Sequence, residues 1–140
     1  METKILDPNL PPEPPEEGAS HAPEQKPSLG SPHAVLIIFE SSPKTLQFDL
    51  IDRVTIGRRS EAGQQPDIDV APFGGFPAGV SRLHVRLHRV DKNIIIEDLA
   101  SRNGTFLDEV QVKPGELVPI RNGQSFRLGA LRGWIYFENT

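Results

Sequence analysis

Three short segments carry the side chains that could do chemistry: Gly57-Arg58, Ser81-Arg82-Leu83-His84 and Ser101-Arg102-Asn103-Gly104-Thr105. Each sets a guanidinium, hydroxyl or amide beside residues that favour turns, and turns of that composition hold anions or the backbone of an extended peptide. Any one alone has an ordinary explanation. A glycine ends a strand beside a surface arginine, a serine hydroxyl bonds its own turn, or an asparagine-glycine pair makes a turn with capping hydroxyls. The same residues offer little to a catalyst. There is no Gly-x-x-x-x-Gly-Lys phosphate loop, no Gly-x-Gly-x-x-Gly and no Gly-x-Ser-x-Gly elbow, so the expectation is that the chain is not an enzyme. His84 and His88 fall on one face of a strand without a third ligand nearby. We read them as an exposed polar face, with no metal and no cofactor.

The elements that must position these segments read as β-strands throughout. Runs of β-branched and aromatic residues at 34–40, 45–51, 54–58, 68–70, 84–90, 93–98, 106–107, 110–112, 117–119, 125–128 and 133–138 alternate with glycine, proline, asparagine and aspartate. That rhythm predicts an all-β sandwich or barrel with no helix. Leu46, Phe48 and Leu50 share one face, as do Val85 with Leu87 and Phe126 with Leu128, and these should enter the core. Asp91-Lys92-Asn93, Asp108-Glu109 and Arg121-Asn122-Gly123 read as hairpin connections. Residues 71–80, with Pro72, Gly74, Gly75, Pro77 and Gly79, form a long loop leading into Ser81, and Phe73 and Phe76 on it either meet a partner or pack on the domain's own edge.

Length and composition bound the rest. A chain of 140 residues holds one domain and a tail. Residues 1–32 read as a disordered, acidic, proline-rich tail, with few large apolar residues after Leu10 to offset its ordering entropy. Residues 33–138 read as the domain. Residues 1–30 hold six acids and two bases, so the entire formal charge of −4 lies there, and the remaining thirteen bases and thirteen acids cancel. A neutral domain lacks the basic face that nucleic-acid binding needs. No apolar run is long enough to span a membrane, and the acidic N-terminal stretch is unlike a signal peptide. With no cysteine there is no disulfide framework. The expectation is a cytoplasmic protein with neither nucleic-acid nor membrane partners.

In order and spacing the three segments resemble those of the forkhead-associated (FHA) domain family, over about residues 33–138. The resemblance implies an eleven-stranded FHA-type β-sandwich whose loops bind phosphothreonine peptides produced by a Ser/Thr kinase. It implies phosphate contacts from Arg58, Ser81 and Arg82, a clamp on the peptide main chain from Asn103, and contacts to flanking residues from Arg102. Gly57, His84, Ser101, Gly104 and Thr105 would support the loops. A phosphate-independent interaction scaffold on the same sandwich stays open. So does self-binding through a phosphorylated Thr3, the only threonine before residue 45, since a flexible tail of that length spans a small domain.

Overall fold

The computed structural model describes residues 29–138. Eleven strands follow in chain order: β1 (Ala34–Phe39), β2 (Thr45–Asp49), β3 (Arg53–Gly57), β4 (Ile68–Asp69), β5 (Val85–Val90), β6 (Asn93–Asp98), β7 (Thr105–Leu107), β8 (Val110–Val112), β9 (Leu117–Ile120), β10 (Ser125–Leu128) and β11 (Leu131–Phe137). They make two sheets, ordered β2-β1-β11-β10-β7-β8 and β4-β3-β5-β6-β9. The sequence-predicted strands all form, with ends shifted by a few residues. Among the described residues the only helical turn is a 3-10 turn at Ala71–Phe73, and no helix is long and apolar enough to cross a membrane.

Alternating side chains fill the space between the sheets. Val35, Ile37 and Phe39 of β1 face inward with Ile56, Val85, Leu87, Ile94, Ile96, Phe126, Leu128 and Ile135, all nearly inaccessible. Leu50 is fully buried, whereas Leu46 and Phe48 on edge strand β2 are half-buried against the same core. The opposite face of β1 and β11 carries a second cluster of Ala34, Leu36, Trp134 and Tyr136, onto which Leu29 packs. Gln47 Nε2 holds the Leu29 carbonyl at 3.2 Å, so packing begins before His33, where the sequence reading starts the domain. The rest of the predicted tail, residues 1–28 with Thr3, lies outside the described residues.

Of the three expected hairpin connections two form and one does not. Asp91-Lys92 and Asp108-Glu109 close the β5-β6 and β7-β8 hairpins, and Asp91, Asp108 and Glu109 take positive φ as tight turns require. Arg121-Asn122-Gly123 is not a hairpin. It carries the chain from β9 in one sheet to β10 in the other, because strand β9 pairs with β6 while β10 joins β7 and β11. In the 71–80 loop the two aromatic rings part ways: Phe73 packs in the core with its centroid 4.7 Å from that of Phe39, whereas Phe76 is exposed.

Candidate functional site

Strand β3 delivers Gly57 and Arg58 to one end of the sandwich. A Cβ at residue 57 would overlap the Arg82 carbonyl oxygen and lie 2.8 Å from that of Ser81. Only glycine therefore lets the Ser81-Arg82 turn lie against the strand. The Arg58 N–H seals that approach by donating to Ser81 O at 3.1 Å. Arg58 is half-buried, its Nε donates to Val80 O at 2.8 Å, and its guanidinium carbon sits 4.9 Å from the centroid of the Phe76 ring. Its two terminal nitrogens have no acceptor among the described residues, and Arg58 lines an open groove.

Ser81 is held from two sides. Its N–H donates to Nδ1 of His84 at 3.0 Å, and its hydroxyl oxygen accepts from the Arg102 N–H at 3.0 Å. The hydroxyl proton is left to donate elsewhere. His84 is completely buried, and since Nδ1 accepts, its proton resides on Nε2 and is donated to Gly104 O at 2.9 Å. One imidazole thus ties the Ser81 turn to the Asn103 turn. Burial lowers the His84 pKa below the usual histidine value, against opposing contributions from the Gly104 bond and the Asp98 charge. The reading of His84 and His88 as one exposed face is overturned. His84 precedes β5 and points inside, and half-buried His88 contacts Glu97 at 2.9 Å.

Beneath the third segment lies a residue that sequence reasoning missed. Asp98, at the end of β6 and almost wholly buried, accepts from the Ser101 N–H at 3.0 Å, the Ser101 hydroxyl at 2.5 Å and the Thr105 hydroxyl at 2.6 Å. The Ser101 oxygen in turn accepts from the Gly104 N–H at 3.1 Å. The available signal was an aspartate three residues before a serine, a spacing at which acidic side chains cap a turn. Gly104 takes φ +90° and Thr105 opens β7. Asn103, presented on this scaffold, donates from Nδ2 to Gly79 O at 2.8 Å. Gly79 has φ +82°, and a Cβ there would meet that nitrogen at 2.5 Å.

Arg58, Ser81, Arg82, Arg102 and Asn103 line one groove of about 750 Å³ with Phe76 and Gly79. Gly57, His84, Ser101, Gly104 and Thr105 do not line it and form the layer that orders the loops. Arg82 also braces the site, since its Nη1 donates to Ala62 O at 2.8 Å and so ties down the 58–67 loop. The lining holds three arginines and no carboxylate. Its chemistry is that of an anion acceptor with an amide reader beside it.

The sequence pattern of the FHA domain matches residues 54–129, more than half of the chain. No curated protein sequence is similar enough to count as a relative. Among solved structures, the FHA domain of an Arabidopsis thaliana hypothetical protein is 22% identical with TM-score 0.61, covering 89% of this chain and 97% of that one. The FHA domain of CT664 protein from Chlamydia trachomatis is 18% identical with TM-score 0.59, covering 75% and 98%. The N-terminal FHA domain of Rad53p from S. cerevisiae, solved with a phosphothreonine peptide, is 17% identical with TM-score 0.59, covering 75% and 94%. Two sheets of matching architecture and a sequence pattern spanning all three loop segments lead to one conclusion: the chain belongs to the FHA domain family.

Proposed function

We propose that the groove binds phosphothreonine peptides made by a Ser/Thr kinase, with the phosphate held by Arg58, Ser81 and Arg82 and the main chain by Asn103. The observation that carries this reading is the convergence of three cationic side chains, a serine hydroxyl and an asparagine amide on one groove that no carboxylate lines. A phosphate brings about −1.5 to −2 charges and three acceptor oxygens. The free end of the Arg58 fork and the Ser81 hydroxyl proton suit those oxygens, since charge-assisted bonds of this kind are the strong ones. Asn103 already donates to one backbone carbonyl, that of Gly79, and an incoming extended peptide presents the same group. Arg102 is exposed beside Asn103 and can reach residues flanking the phosphothreonine.

The test is calorimetry with a phosphothreonine peptide library and its unphosphorylated counterpart. Binding confined to the phosphorylated set is the expected result. Equal binding of both sets would overturn the reading in favour of a phosphate-independent scaffold.

A further inference from the structure

Phe76 is 69% exposed, and it is the one exposed aromatic ring among the described residues. A lone exposed apolar side chain is ordinary on a protein surface. This one lies on the groove, stacked on the arginine that reaches into it.

Its exposure does not come from a loose loop. The N–H groups of Gly75 and Val80 donate to Val70 O and Gly75 O at 3.1 and 2.9 Å, and those of Ala78 and Gly79 donate to Gly74 O and Phe76 O at 3.1 and 3.0 Å. Ala130 N–H fixes the loop to the neighbouring β10-β11 turn through Ala78 O at 2.8 Å. A Cβ at residue 75 would lie 2.9 Å from Val70 O, so the glycine permits a fold-back that leaves Phe73 inside and Phe76 outside. The ring is held where it stands.

We infer that Phe76 is a specificity residue that selects phosphopeptides carrying a bulky apolar side chain within two positions of the phosphothreonine. This deepens, and rests on, the reading of the groove as a phosphothreonine site. An extended peptide advances about 3.3 Å per residue, so neighbours one or two positions away lie within about 7 Å of the phosphothreonine. The phosphate must meet Arg58, whose guanidinium is 4.9 Å from the ring centroid, and an adjacent ligand side chain therefore comes within reach of the ring. A groove of about 750 Å³ has room for more than one residue. The exposed side of the ring can take apolar surface while its other side covers the guanidinium.

The experiment uses the full chain and phosphothreonine peptides with serine at all flanking positions, or with a single leucine or tyrosine at each of the two positions on either side. Wild type, Phe76→Ala and Phe76→Leu are compared, with an unphosphorylated control. We expect the wild type to bind one substituted peptide about three- to tenfold more tightly than the serine parent, the range of one good aromatic contact. Phe76→Ala should bind both alike, and Phe76→Leu should keep part of the preference. A preference that is absent in wild type, or that survives in Phe76→Ala, overturns the inference. So does a uniform loss for every peptide, because the ring would then serve Arg58 alone. If wild type ignores the phosphate altogether, the control shows that the underlying reading has failed and this one with it.

Discussion

The Ser81 N–H donates to Nδ1 of His84 across 3.0 Å, and this bond holds the Ser81 turn only while the imidazole is neutral. A proton on Nδ1 would face the Ser81 N–H and break the contact. Burial already opposes that proton and lowers the His84 pKa.

A pH dependence follows. With a folded pKa below the unfolded value of about 6.5, the unfolded chain takes up a proton first. The neutral-histidine stability is therefore complete above about pH 6.5 and is lost as pH falls through the folded pKa. NMR titration of the imidazole should show Nδ1 unprotonated at pH 7 and a midpoint under 6.5, with urea midpoints falling below that pH. A His84 midpoint at or above 6.5 would contradict the assignment.

Gly57→Ala should damage stability and binding together. The added methyl collides with the carbonyl groups of Ser81 and Arg82, and these are backbone atoms that cannot swing aside. Overpacking of this kind costs about 1–3 kcal/mol, and relief requires the Ser81 turn to leave Arg58. Urea denaturation and phosphopeptide calorimetry on one preparation check it. An alanine variant with unchanged affinity would mean that the close approach is unnecessary.

Asp98→Ala should be more harmful than any single substitution in the groove lining. It strips the acceptor from two hydroxyls and one N–H, and each hydrogen bond to a charged group contributes about 1.5–3 kcal/mol. We expect at least about 3 kcal/mol of lost stability by chemical denaturation, with Asp98→Asn intermediate because it keeps one acceptor oxygen. Loss under about 1 kcal/mol for the alanine variant would show that water replaces the carboxylate readily.

The strands were legible because burial on one face imposes a period of two. Leu87 and Ile96, or Phe126 and Leu128, announce their faces locally. Which sheet a strand joins is not local. Turn residues at Arg121-Asn122-Gly123 say that the chain reverses, and only pairing of β9 with β6 and of β10 with β11 makes that reversal a crossing between sheets. The groove residues were legible by type and order, but Asp98 was not, since an acid ending a strand resembles a solvated charge until its three donors fold around it. Phe73 and Phe76 differ in neither type nor neighbourhood, and a tertiary contact with Phe39 decides which is buried.

Arg58→Ala and Ser81→Ala separate two ways of reading the groove. If both residues hold phosphate, each loses a charge-assisted bond of about 1.5–3 kcal/mol and weakens a phosphothreonine peptide roughly ten- to a hundredfold. Ser81 also accepts the Arg102 N–H, so Ser81→Ala loosens the Asn103 turn as well, whereas Arg58→Ala spares that bond and removes the charge, the stack under Phe76 and the Nε bond to Val80 O. Calorimetry at two salt concentrations sharpens the difference, because loss of a cation flattens the salt dependence and loss of a hydroxyl does not. Equal salt slopes for wild type and Arg58→Ala would remove Arg58 from the phosphate contacts.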